Sequence, residues 1–149
     1  MKRLPNTLFS EIVANTPLVS IDLFIKNNDG QILLGKRINR PALGMWFVPG
    51  GRICKGEMIS EAFLRLTREE LGVALSQEQS KPLGIFEHFY PDNFSGEEFS
   101  THYVVLAYQL TLDLLLERMP QEQHDIYRWW EEKELLNSAE VHPHCKLYL

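Results

Sequence analysis

The sequence predicts a single α+β domain built as an α/β/α sandwich, with a mixed β-sheet held between helices. Three observations carry that expectation. The chain has 149 residues, about one domain in length. Strand-like alternation and helix-like periodicity interleave along it, with hairpin turns between them. No tract of linker composition divides it, so one domain is expected over 1–149. An apolar share of 44% against 23% charged marks a chain able to bury a core.

The amino-terminal segment, residues 1–15, reads as a short helix with Leu8, Ile12 and Val13 on one face. Leu18 to Lys26 reads as a strand, because Val19, Ile21, Leu23 and Ile25 alternate with polar Ser20 and Asp22. Asn28-Asp29-Gly30 is a turn, and Gln31 to Lys36 returns as a second strand. Pro41 to Gly44 is expected as loop. Trp46 to Val48 is a short strand, stopped by Pro49-Gly50-Gly51. Met58 to Leu71 has helical spacing, with Ala62, Phe63, Leu66 and Leu71 on its apolar side and Gly72 ending it. Lys81 to Tyr90 and His102 to Leu112 are expected strands. The tip between them is marked by Pro91-Asp92-Asn93 and Ser95-Gly96. Gln121 to Asp125 is a polar loop, Tyr127 to Trp130 a strand, and Glu131 to Leu136 a helix.

Acidic residues number 20 and basic residues 15, a net charge of −5. Gripping a nucleic-acid backbone takes a basic surface, so a small-molecule partner is expected instead. No apolar run reaches the roughly 20 residues of a membrane helix. Cys54 and Cys145 have no framework spacing. A cytoplasmic setting away from membranes is the expectation.

The stretch from Gly51 to Val73 carries the chemistry. Glu61, Arg65 and Glu69 follow at i, i+4 and i+8, so they can pair along one helix face. Leu66 and Glu70 share another face. A glycine carbonyl at the helix entrance and the Glu70 carboxylate form a partial oxygen shell for Mg²⁺. Such sites add water and substrate phosphate to few protein ligands. Taken alone, Glu69-Glu70 is an ordinary solvated helix face.

This spacing resembles the Nudix box, Gly-x5-Glu-x7-Arg-Glu-U-x-Glu-Glu-x-Gly-U, with U a bulky aliphatic. Seven of its nine specified positions match, at Gly51, Glu57, Arg65, Glu69, Glu70, Gly72 and Val73. Leu66 stands where the box has Glu, and Thr67 where it has an aliphatic residue. The resemblance implies a mixed-sheet α/β/α fold. It also implies Mg²⁺-dependent hydrolysis of nucleoside diphosphates linked to another group, with Mn²⁺ as a substitute. Leu66 removes one carboxylate from the helix face. That points to fewer metal ions and a base from elsewhere, or to an inactive relative.

Other segments are similar to the GDP-mannose mannosyl hydrolase branch of that family. They are Leu34 to Arg37 with Asn39-Arg40-Pro41, Trp46 to Arg52, His88-Phe89-Tyr90 with Asp92 to Gly96, Thr101 to Leu106, and Glu122 to Asp125 before Tyr127-Arg128-Trp129. The Arg65-Leu66 pair is one that this branch also carries. The resemblance implies water attack at the anomeric carbon of GDP-mannose, with GDP-glucose a second candidate, giving GDP and free sugar with inversion. It implies Mg²⁺ held by the Gly50 carbonyl, Glu70 and the Gln123 side chain. It implies a homodimer whose amino-terminal segment reaches the partner's guanosine pocket, with Leu4 and Phe9 as candidates to cover the base.

Arg37 and Arg52 offer planar forks suited to a departing diphosphate, and Tyr103 can donate its phenol proton to the same oxygens. His124 is the candidate general base, since a reference pKa near 6.5 leaves imidazole neutral at cellular pH. Asp22, polar on an apolar strand, is a candidate to bind sugar hydroxyls or orient the imidazole. His88 is expected to hydrogen-bond in the site, while His102, His142 and His144 read as structural or exposed. By residue type alone, each candidate also has a plain structural reading. The arginines flank a turn, Tyr103 is a strand tyrosine, Phe9 packs a core, and Gln123 faces solvent in a loop.

Two other functions stay open at this point. One is a Nudix pyrophosphohydrolase cleaving P–O in a nucleotide sugar or triphosphate. The other is a non-catalytic nucleotide-binding regulatory module. Leu66 and the Gln123-His124 loop argue against the first, and Glu70, Arg52 and His124 against the second.

Overall fold

Nine consecutive residues, Leu18–Lys26, form the strand on which the other elements are assembled. The computed structural model describes residues 3–120 and 124–149, the side chains of 124 and 125 excepted. In chain order the elements are α1 (Asn6–Asn15), β1 (Leu18–Lys26), β2 (Ile32–Arg37), β3 (Trp46–Phe47), β4 (Gly50–Arg52), α2 (Ile59–Leu71), β5 (Lys81–Tyr90), β6 (Thr101–Thr111), β7 (His124–Trp130), α3 (Glu132–Asn137) and α4 (Pro143–Lys146). The main strand order is β3-β2-β1-β6-β5, with β4 paired to β1 and β7 to β2. β1 and β6 run parallel from Leu18↔Tyr103 to Lys26↔Thr111, and the other pairs are antiparallel. This is the mixed sheet that the sequence predicts.

Alternation along β1 feeds two cores. Ile21, Leu23 and Ile25 are fully buried and pack with Ala62, Phe63, Leu66 and Leu71 of α2. Each such side chain contributes about 1.5–3 kcal/mol of transfer free energy. On the other face, Phe24 packs with Trp46, Trp130, Leu135, Cys145 and Tyr148. Helical segments therefore cover both faces, which gives the α/β/α sandwich. Among the described residues, no helix is long and apolar enough to cross a membrane.

Several local expectations differ from the structure. Val19 is 43% exposed although it alternates with buried neighbours, because the face it shares with Ile21, Leu23 and Ile25 packs against α2 only from Ile21 onward. The first helix turns Phe9 and Val13 inward, one turn apart, and leaves Leu8 exposed. Pro49 does not end strand structure, since Gly50–Arg52 pairs with β1 at Asp22↔Gly50. β7 starts at His124, inside the segment expected as loop, because it pairs back to Arg37 of β2. The carboxy-terminal turn α4 has no period long enough to predict from sequence; Pro143 starts it and His142 caps it.

Candidate active site

The box loop and α2 form one rigid unit. Glu57, with a side chain 3% exposed, accepts from Arg65 Nε at 2.7 Å and Nη2 at 3.0 Å. It also accepts from the Cys54 amide at 3.0 Å. The fork from Arg65 holds the Glu57 carboxyl below its ordinary range, with smaller help from the Cys54 amide, against the opposing effect of burial. Arg65 spends its remaining donors on Glu69 Oε2 at 3.0 Å and the Arg52 carbonyl at 2.9 Å. Of the expected helix-face series, Arg65–Glu69 forms. Glu61 instead turns back to the Met58 amide at the helix start, an exposed position where it satisfies an otherwise unpaired N–H. Thr67, at the aliphatic position of the box, is fully buried and accepts from the Leu75 amide at 2.9 Å. It stitches the end of α2 to the following loop.

Gly50 and Gly51 are demanded by protein packing. A Cβ at Gly50 would lie 2.3 Å from the Ile21 carbonyl oxygen, and one at Gly51 would lie 2.5 Å from Leu66 Cδ2. The close approach these two glycines permit is to β1 and α2. Leu66 is 3% exposed and fills the space beneath Gly51.

The candidate cleft has two lobes. The inner lobe is lined by Ser20, Asp22, Phe47, Gly50, His88 and Tyr90. The outer lobe, about 360 Å³, is lined by Leu4, Asn6, Phe9, Asn39, Arg40 and Phe94. Arg37, Pro41, Arg52 and Tyr103 line both, so they form the neck. Arg37 is fixed by donation from Nε to the Pro41 carbonyl at 2.8 Å. Arg52 lies over the Phe9 ring at 5.1 Å from its centroid, and Phe9 meets Phe94 at 4.9 Å. Burial raises the Tyr103 phenol, against the lowering effect of Arg37 and Arg52, so it stays a proton donor.

Asp22 and His88 close the inner lobe. Burial pushes the Asp22 carboxyl up to about 7, against the lowering effects of the Tyr148 hydrogen bond and Arg37. The Tyr148 hydroxyl donates to Asp22 Oδ2. His88 Nδ1 lies 4.0 Å from the same oxygen, and its ring stacks on His144 at 4.2 Å. Burial lowers His88 to about 3, helped by His144 and His142, so its imidazole is neutral.

The residues suit a divalent cation of the Mg²⁺ kind. Glu57 and Glu69 are engaged by Arg65, whereas Glu70, 7% exposed, reaches the cleft backbone by accepting from the Gly50 amide at 3.2 Å. Among the described residues, no three His, Cys, Asp or Glu side chains cluster as a metal cage. One carboxylate beside a half-buried glycine backbone is the sparse set that such an ion completes with water and phosphate.

The expected site residues Asp22, Arg37, Gly50, Arg52, His88 and Tyr103 thus line one cleft, with Glu70 behind Gly50. Leu4 and Phe9 line the outer lobe of their own chain, where the resemblance implies a partner's pocket. Gln123 lies outside the described residues. The His124 backbone pairs with Arg37 at the neck, and its side chain is outside the described residues. Tyr90 and Phe94 also line the cleft, and Tyr148 contacts Asp22 and His88; sequence reasoning missed all three. Tyr90 and Phe94 lie in segments that carry the resemblance, but Tyr148 follows them with no motif of its own.

The Nudix domain family model matches residues 16–148. The low-salt glycan biosynthesis protein Agl8 of Haloferax volcanii is 47% identical over 111 residues, covering 74% of this chain and 69% of that protein. A MutT protein from Methanosarcina mazei Go1 has a similar structure, with TM-score 0.69, 18% identity and coverage of 90% and 91% of the two chains. So has a bifunctional NMN adenylyltransferase/ADP ribose pyrophosphatase from Francisella tularensis complexed with AMP and a Mn ion, at TM-score 0.62 and 20% identity, over 94% of this chain and 42% of that one.

Proposed function

The chain belongs to the Nudix family, as a Nudix hydrolase, and from that premise we propose that it hydrolyses GDP-mannose to GDP and free mannose. The observation that carries this reading is the arginine neck between two unlike lobes. Phe9 and Phe94 in the outer lobe suit a nucleoside base. Arg37 and Arg52 suit the diphosphate. The inner lobe, with buried Asp22 and His88, suits a polyhydroxylated sugar. The name of the Haloferax relative, a glycan biosynthesis protein, supports a nucleotide-sugar substrate. Leu66 supports attack at carbon, since α2 offers no carboxylate at that position to activate water beside phosphorus.

The His124 imidazole takes a proton from water as the water oxygen bonds to the anomeric carbon from the face opposite the diphosphate. The carbon–oxygen bond to the diphosphate breaks, and its electron pair stays on the departing phosphate oxygen. Arg37, Arg52 and the Tyr103 hydroxyl meet that growing charge. A divalent cation held by Gly50, Glu70 and Gln123 would neutralise the same oxygens; the Mn ion in the Francisella complex is compatible with either metal. Inversion follows from the single displacement. Proton NMR of a GDP-mannose reaction tests it, with GDP and β-mannose expected as first products. GMP with mannose 1-phosphate, or α-mannose appearing first, contradicts it.

A further inference from the structure

We propose that Tyr148, just beyond the last helical turn, is a positioning residue whose hydroxyl fixes Asp22 to receive the sugar. The inference rests on the sugar-nucleotide reading above and deepens it. The Tyr148 ring is 7% exposed and meets Phe86 and Phe24 edge-on, at 5.0 and 6.0 Å between centroids. Its hydroxyl donates to Asp22 Oδ2 and lies 3.3 Å from His88 Nε2. The other carboxyl oxygen, Oδ1, lies on the Gly50 side, 2.9 Å from where a Cβ on that glycine would sit. Tyr148 therefore takes Oδ2 and leaves Oδ1 on the side of Gly50, which lines the inner lobe together with Asp22. A carboxyl without that donor is free to turn about its last torsion, and a misaimed acceptor loses the benefit of orientation.

The phenol is itself well anchored. The His142 amide donates to the Trp46 carbonyl at 3.0 Å, and Lys146 Nζ donates to the Ser138 carbonyl at 2.8 Å. His88 is sandwiched by its stack on His144, at 5° between ring planes, so it is held against the same hydroxyl. One phenol oxygen thus sets the relative placement of Asp22 and His88 in the inner lobe. The tie joins residues 126 apart in sequence, linking the chain's last turn to its central strand.

The test compares wild type, Tyr148→Phe, Asp22→Asn and the double variant, each with its metal. The phenylalanine keeps the ring packing and removes only the hydroxyl. In Tyr148→Phe, kcat/KM for GDP-mannose should fall by about tenfold, while inhibition by GDP, which lacks the sugar, moves less than about twofold. In the Asp22→Asn background, the Tyr148→Phe change should cost under about twofold, because the two residues act as a unit. Equal weakening for GDP, losses that multiply independently, or no loss overturns the proposal. Mannose 1-phosphate and GMP as products would refute attack at carbon alone, since the GDP comparison still reads the sugar lobe. Carbon and nitrogen NMR of the Asp22 carboxyl and His88 ring reads the contact without turnover. Both signals should shift in Tyr148→Phe, and unchanged signals overturn the proposal.

Discussion

Arg37 shows at one residue how the site is built. Its Nε is spent on the Pro41 carbonyl, which holds the guanidinium at the neck. Its backbone pairs with His124 across β2 and β7, which sets the start of β7 beside the neck. His124→Gln should therefore lower kcat by about a hundredfold with KM little changed, the pattern of a lost general base. A steady-state fall below about threefold would assign the base to another group. Arg52→Gln should weaken transition-state stabilisation by about 3 kcal/mol in kcat/KM. Unchanged kinetics in that variant would remove Arg52 from the site. Most of these residues were legible in the sequence because Arg52 follows a Gly-Gly turn and Asp22 breaks an apolar strand. Phe9 also stood out, although its helix face did not: the apolar count favoured Leu8, and only packing against Phe94 and Arg52 selects Phe9.

Among the elements, α2 was the most legible and α4 the least. The α2 segment has thirteen residues with a strong apolar stripe and a glycine stop in the left-handed region at φ 80°. By contrast, α4 has four residues, and its neighbours come from distant parts of the chain. The histidines in and around it have a measurable consequence. His88 and His142 are lowered by burial, to about 3 and about 4, and His144 is lowered too, from an ordinary 6.5. The unfolded chain thus binds protons that the folded chain refuses, and stability falls as pH drops from about 6.5 toward 4. Asp22, raised to about 7, acts the other way. The folded chain keeps a proton there that the unfolded chain sheds near 4, a contribution lost as pH rises through 7. Three imidazoles outweigh one carboxyl, so the metal-free protein should melt at progressively lower temperature on acidification below about 6.5. Calorimetry of His142→Gln should show a shallower slope, and an equal slope would place the acid sensitivity elsewhere.

For the whole molecule, the sandwich explains why the site lies where it does. β1 is buried on both faces, and its end next to β4 meets the parallel start of β6, so Ser20, Asp22, Gly50 and Tyr103 converge there. That convergence is non-local, and sequence spacing carried it only through the resemblance of several separated segments. The amino-terminal helix closes the outer lobe from within the chain, through Phe9 and Val13. The homodimer implied by the resemblance is a separate proposal, and sedimentation at micromolar protein should give twice the chain mass. A monomer there would mean that each chain completes its own nucleoside lobe. The claim that joins all three scales is attack at carbon, and the direct measurement is turnover of GDP-mannose with Mg²⁺ in ¹⁸O-water, followed by mass analysis. The account predicts label in free mannose and none in GDP. Label in GMP or mannose 1-phosphate would contradict it.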